Sequence, residues 1–436
     1  MNNKPRAKPG QVNREGNMEQ TSTAPDGAAS GGMSAKTRRG ALIAAIFLMA
    51  TSAIGPGFIT QTATFTTRLG SAFAFAILAS ILIDFVVQLN IWRIVTLTKM
   101  RASDIANAAI PGTGYVLAIL VIVGGLFFNI GNIGGGGLGL NALLGLDPKL
   151  GGSISALLAI GIFLSHRAGV AIDRVIVVAG LMMIVLTVYV AFVSQPPVGD
   201  AFFQTFLPST IDFATITTIV GGTVGGYITY SGAHRLLDKG TVGIENLGAV
   251  NRAALTGIAV TGVMRYVLFL AILGVVASGV AIDVTGAGAN PAAQAFQAAA
   301  GDVGMRIFGA IFWAAAITSV IGAAYTSVSF VTVFKKDMTE RARNIATVIF
   351  IAVSLFFYII ITTPPAQMLV FVGGLNGLIL PIGLTIFIYA GWARSDLMGG
   401  YRYPRWLLIL GALTCALTWY MGYKSIGPIF ALLTAA

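Results

Sequence analysis

A chain of 436 residues with 56% hydrophobic and only 10% charged residues has too few charges to clothe a water-facing surface. Soluble domains carry roughly 25% charged residues. The mean hydropathy is +0.84, and the stretch from Ile345 to Trp392 has no charged side chain at all. A membrane helix needs about 20 apolar residues, whereas buried strands of a soluble α/β core run roughly four to eight. The sequence therefore predicts an all-α integral membrane protein. The net charge of +11 is accounted for by anionic lipid headgroups rather than nucleic acid. The single cysteine, Cys415, excludes an intrachain disulfide and a multi-cysteine metal site.

Residues 1–38 are polar, with Pro, Gly, Ser and Thr throughout, and read as a disordered basic tail. The apolar stretch that follows is the first of eleven expected spans. They are 41–66, 71–97, 113–140, 152–165, 172–194, 213–236, 251–279, 304–334, 344–362, 366–392 and 406–431. The fourth is short for a straight crossing. With the N-terminus inside, all but five of the 27 Lys and Arg fall on cytoplasmic segments. Arg68, Lys149, Arg306 and Lys424 fall outside, and Arg265 falls within a span. This is the positive-inside pattern, and it places the C-terminus on the extracellular or periplasmic face of the cell membrane.

Two spans have unusual interiors. The first contains Ser52-Ala53-Ile54-Gly55-Pro56-Gly57-Phe58, and the sixth contains Gly221-Gly222-Thr223-Val224-Gly225-Gly226-Tyr227. Proline lacks a backbone N–H and glycine tolerates non-helical angles, so both helices are expected to unwind there. Close packing through small residues is the plainer reading of each stretch alone. The two lie five spans apart, as in secondary transporters built from two five-span repeats of inverted topology, whose substrate sits between the broken first helices of each repeat. On that plan residues 39–200 form the first repeat, 201–392 the second, and 393–436 an eleventh helix with the C-terminus.

These motifs resemble the NRAMP family of proton-coupled divalent metal transporters, over roughly residues 41–430. The family's first span carries Asp-Pro-Gly-Asn where this chain has Gly55-Pro56-Gly57-Phe58, and Leu69-Gly70 follows at the expected distance. Gln88, Arg93 and Ile94-Val95-Thr96 match the end of its second span. Its sixth span has Gly-Ala-Thr-Val-Met-Pro-His where this chain has Gly221 to Tyr227. The resemblance implies a LeuT-type five-plus-five inverted repeat with an eleventh transmembrane helix, and unwound first and sixth helices. The departures fall on the chemistry. The family's metal-binding Asp and Asn align with Gly55 and Phe58, its Met with Gly225, and its His with Tyr227. Two acids of the third span align with Asn129 and Asn132.

A dry site for a divalent ion needs anionic or strongly dipolar ligands, and transition metals favour Met or His. The broken segments offer no carboxylate, thioether or imidazole. They offer backbone groups at Gly55, Gly57, Gly222 and Gly225, with Ser52, Phe58, Gln61, Thr223, Tyr227 and Asn376 around them. Backbone N–H groups at a broken helix end hold carboxylates, and carbonyl ends receive amines. The sequence reading is thus a secondary active transporter working by alternating access. Its cargo is a small organic solute such as an amino acid, with proton coupling as one option. The alternative is an NRAMP-type carrier of Mn²⁺ or Mg²⁺. A small-molecule or ion substrate and anionic lipids are the expected partners of a monomer, with no cofactor.

Asp84 in the second span is the candidate proton or cation site, with a structural, hydrogen-bonded acid as the other reading. Asn129 and Asn132 join it through the resemblance. Arg265 could pair with Asp84, bind an anion, or snorkel to an interface. His166 and His234 read as solvated residues at span ends, with an inner gate or proton exit as the other role for His234. The scattered charges form no enzyme-like cluster. The orientation is testable. A reporter on the N-terminal tail should resist protease added to intact cells, and one after Ala436 should be cleaved.

Overall fold

The computed structural model describes residues 54–434 apart from residue 287, with backbone only for 166–177, 179 and 434. Ser52 and the tail 1–38 lie outside the described residues, as does the first half of the first expected span. Fourteen α-helices follow in chain order, and no strand occurs among the described residues. They are α1 (Pro56–Leu69), α2 (Phe73–Thr98), α3 (Ala102–Ala109), α4 (Thr113–Leu144) and α5 (Pro148–Leu164). Next come α6 (His166–Val193), α7 (Val198–Phe206), α8 (Phe213–Gly221), α9 (Ile228–Asp238) and α10 (Leu247–Ala277). The last are α11 (Pro291–Ser329), α12 (Glu340–Ile360), α13 (Pro365–Ala393) and α14 (Arg405–Thr434).

The described part of every expected span falls on a helix or a helix pair, although among the described residues seven helices alone are long and apolar enough to cross a membrane. Pairing α6 with α7, which are bent by 108° at their junction, raises the number to eight. The difference has four local causes. The described part of the first span, α1, runs on to α2 through a 3₁₀ turn at Gly70–Ala72 and is counted with it. The fourth span, α5, has 17 residues, and the fifth is the bent pair. The sixth is broken into α8 of 9 residues and α9 of 11. The eighth expected span begins at residue 304, but α11 begins at Pro291 and kinks at Gly301, whose φ is +67°. The stretch before the kink was missed because it carries Gln294 and Gln297 among its alanines.

The bundle core is made by α4, α13, α11 and α10, each packed on several neighbours. α4 owes its central place to glycine. A Cβ at Gly135 would run into the Pro56 ring, and one at Gly139 would lie 2.7 Å from the Trp313 backbone N. Two helices can approach α4 on these faces only because no side chain intervenes. The outer faces of α12 and α14 expose Ile345, Ile349, Phe356, Leu413 and Trp419. Such a continuous apolar surface suits lipid and would aggregate in water.

α13 closes against the broken sixth span by the same device. A Cβ at Gly221 would collide with Gly373 O and Gly377 N, both backbone atoms that cannot swing aside. At Gly422 on α14 the nearest atom would lie 3.5 Å away, in ordinary contact. Gly221→Ala should therefore destabilise the purified protein by about 1–3 kcal/mol through overpacking. Gly422→Ala should be neutral or slightly stabilising, since alanine favours a helix by about 1 kcal/mol over glycine. Thermal unfolding in detergent measures both, and equal melting points would contradict the packing account.

Candidate functional site

The sequence places proline and glycine where two helices must stop; the sixth span stops there, and the described part of the first span is a helix that starts there. α1 begins at Pro56, with Gly55 in an extended conformation as its N-cap and no side chain capping the free N–H groups. Its first turn holds no acid, so the positive end of the helix dipole is unopposed there. α8 ends at Gly221 and α9 begins at Ile228. Between them the chain turns through Gly226, whose φ of +53° is a left-handed angle that glycine adopts without strain. A Cβ there would also collide with Asn376 Oδ1.

Gln61 joins the two breaks to the tenth span. Its Nε2 donates to Leu369 O at 3.0 Å. The same amide fills the space beside Gly222 and Gly373, where added Cβ atoms would run into it. Its Oε1 is buried without a partner. Asn376 Nδ2 donates to Val372 O at 2.9 Å and to Gly124 O at 3.2 Å, while its Oδ1 stays unpartnered. Asn376-Gly377 resembles a further helix break in sequence, but α13 runs unbroken through it. Gly377 instead serves the close approach to α8.

The third span meets the break from the other side. Phe128 lies edge-on to Tyr227, with ring centroids 5.4 Å apart at 90°. The Tyr227 hydroxyl lies near the Asn132 amide, but both the hydroxyl and Asn132 Nδ2 are unpartnered by hydrogen-bond geometry. Asn129 points elsewhere and donates to Ser354 Oγ on α12 at 3.1 Å. The two asparagines are therefore not one cluster.

The charged part of the site is assembled from four spans. Arg265 on α10 is 2% exposed, and its Cζ sits 4.2 Å above the Phe58 ring. Its Nη1 approaches Ile219 O at 3.4 Å, near the carbonyl end of α8, while Nε and Nη2 have no partner. Helix C-termini attract cations and aromatic faces do the same, so both contacts hold the guanidinium in place. Asp84 on α2 is also 2% exposed. The Thr223 hydroxyl and the Arg265 guanidinium are the groups that act on its carboxyl. Neither closes on it. Thr223 Oγ1 donates to Ile219 O at 2.8 Å, and Asp84 Oδ1 is unpartnered. Among the described residues the ion pairs within 4.0 Å are Arg101–Asp238 at 2.6 Å and Arg394–Asp396 at 2.8 Å, so Arg265 and Asp84 form no ion pair. The snorkelling reading of Arg265 fails, because the side chain turns inward.

His234 is buried, not solvated, which corrects the expectation for a span end. Its Nε2 accepts from the Ala102 N–H at 3.1 Å, and its Nδ1 lies 3.0 Å from Ser329 Oγ. Both ring nitrogens are thus engaged. With Arg101–Asp238, these bonds tie α9 to α3 and α11 at the end of α9 remote from the break. The carboxylate of Asp283, in the loop before α11, accepts from the Thr285 and Gly286 N–H groups at 2.9 Å. These bonds hold its carboxyl below the ordinary range. Gln367 Nε2 on α13 donates to Thr285 O in the same loop. Sequence reasoning missed Phe128, Ser329, Ser354 and Leu369 O. They carry no pattern of their own and enter only through the neighbours they meet.

No group of three or more His, Cys, Asp or Glu that could hold a metal ion occurs among the described residues. A broken sixth span and the start of α1 beside a buried polar seam, in an all-α multi-pass bundle, are the layout of a secondary active transporter. Residues 46–426 match the profile of the natural resistance-associated macrophage protein-like family, and the chain belongs to that family. It is 52% identical over 381 residues to the uncharacterised membrane protein YcsG of Bacillus subtilis (strain 168), covering 87% of this chain and 93% of that one. An uncharacterised membrane protein of Haemophilus influenzae is 51% identical over 374 residues, covering 86% and 92%. In fold it is similar to a manganese transporter of Eremococcus coleocola, with a TM-score of 0.68 at 15% identity over 92% of this chain and 89% of that one. MhsT in complex with L-phenylalanine gives 0.60 at 16% identity, over 90% and 98%. The architecture is therefore of the LeuT and NRAMP type.

Proposed function

We propose that the chain is a secondary carrier of a small organic solute bearing a carboxylate, bound between the two broken helices. The observation that carries this reading is Arg265, a buried guanidinium over Phe58 with two unpartnered nitrogens. A fixed positive charge at the seam opposes a divalent cation and attracts an anion. The uncapped start of α1 adds a second positive pole close by, through Phe58 on its first turn. The unpartnered Oε1 of Gln61 and Oδ1 of Asn376 are acceptors for an amine or hydroxyl of the same solute. Leaving such buried atoms unpaired costs about 1–3 kcal/mol each, and a polar ligand offsets that cost.

Family membership and the likeness to a manganese transporter favour the second reading, a divalent metal as cargo. The donor set here does not suit one. Gly55 and Phe58 stand in the family's Asp and Asn positions, and the positive charge of Arg265 lies against Phe58.

The deciding measurement is uptake into proteoliposomes. Labelled small carboxylates and amino acids are compared with Mn²⁺ and Mg²⁺, with and without a pH gradient. We expect organic uptake and no Mn²⁺ uptake; Mn²⁺ uptake without organic uptake would overturn the proposal. In the same assay Arg265→Gln should raise the half-saturating concentration or abolish uptake. Loss of a buried charge partner costs about 2 kcal/mol or more, which is roughly thirtyfold. Arg265→Lys keeps the charge and loses the fork, so an intermediate effect is expected.

A further inference from the structure

We infer that Asp84 and the carboxylate of the solute exchange places as the counter-ion of Arg265, so that one proton accompanies one monovalent organic anion. This rests on the carboxylate reading above and names its substrate class and coupling. The geometry supplies the parts. Asp84 is the only acidic side chain among the buried residues described. Its Oδ1 is unpartnered, and so are Nε and Nη2 of Arg265. Arg265 Nη1 and the Thr223 hydroxyl converge on Ile219 O at 3.4 and 2.8 Å, that hydroxyl and Arg265 both act on Asp84, and Asp84 and Arg265 form no ion pair within 4.0 Å. A solute carboxylate would find free donors at Nε and Nη2 of Arg265.

The charge balance follows from burial. A lone guanidinium in a dry interior is costly, so in the empty carrier the ionised Asp84 carboxylate balances Arg265. An arriving solute carboxylate takes the Nε and Nη2 positions of Arg265. Two carboxylates beside one guanidinium leave an excess negative charge, which a proton removes most cheaply by binding to Asp84. The loaded site then holds the guanidinium cation, the solute anion and a neutral Asp84 acid. Its total charge equals that of the empty site. The anion and the proton leave together on the far side, and Asp84 returns to balance Arg265.

Other groups near the seam do not take this role. Thr223 does not titrate, and its hydroxyl is given to Ile219 O. Tyr227 faces Phe128 and Asn132 on the opposite side. Both nitrogens of His234 are engaged by Ala102 N and Ser329 Oγ. If Asp84 carries the proton, no buried carboxylate remains for an ammonium group. The preferred cargo is therefore a hydroxy or other monocarboxylate rather than a zwitterion.

The test uses the full chain in proteoliposomes with a pH dye trapped inside. The probes are isosteric pairs, L-lactate against L-alanine and L-phenyllactate against L-phenylalanine. We expect uptake of a monocarboxylate with acidification of the lumen in equal amount. Its rate should not change when valinomycin and K⁺ clamp the voltage. A gradient of about one pH unit should hold roughly a tenfold accumulation. Asp84→Asn should reduce that accumulation by about tenfold, and Asp84→Glu should restore it, which a merely structural carboxamide replacement would not require. Monocarboxylate uptake without proton movement overturns the exchange, as does Asp84→Asn accumulating like the parent. Uptake confined to the amino acids overturns the exchange but leaves the organic-solute reading standing. Uptake of neither member of either pair overturns the exchange, and added Mn²⁺ uptake overturns both.

Discussion

A backbone that leaves helical geometry inside hydrocarbon must find its hydrogen bonds within the protein. That constraint organises this molecule. The break between α8 and α9 is bordered on one side by α13, whose Gly373 and Gly377 let the two backbones meet. Gln61 of α1 fills the remaining gap, bonded to Leu369 O and pressed beside Gly222. Phe128 of α4 meets Tyr227 edge-on. The break is held because α1, α4 and α13 enclose it, and polar atoms of Gln61 and Asn376 are left over beside it.

The charges follow from the same enclosure. Arg265 reaches the seam because α10 packs against α1 and α2, which puts its guanidinium on Phe58 and near Asp84. A side-chain cation thus stands beside Phe58, where the resemblance to the family would place a metal ligand. The substitution of Gly55 and Phe58 for acid and amide is consistent with that change, since ligands for a metal would otherwise pair with Arg265 and close the seam.

The glycines of the sixth span carry two roles at once. Gly226 supplies a left-handed angle, while Gly221 and Gly225 supply room for α13. From sequence, packing and unwinding are competing readings of one glycine run. In the structure they are the same event, because the turn can exist only where its neighbour comes close enough to protect it. His234 shows the converse error. Its position at a span end beside Arg235 suggests solvent, but α3 and α11 cover it and engage both nitrogens.

Sequence alone determined the membrane bundle, the position of most of its helices and the place where the sixth span breaks. Hydrophobic length, proline and glycine act locally, so their consequences are legible without neighbours. It also showed, at Gly55 and Phe58, that the ligands expected of its family are missing. Only the tertiary structure decided that Arg265 turns inward rather than to an interface, that Asn129 and Asn132 part company, and that Asn376 lies in an intact helix. Those outcomes depend on which distant helices meet, with Arg265 and Phe58 more than two hundred residues apart along the chain. No local pattern encodes a contact between side chains whose helices are brought together by packing elsewhere.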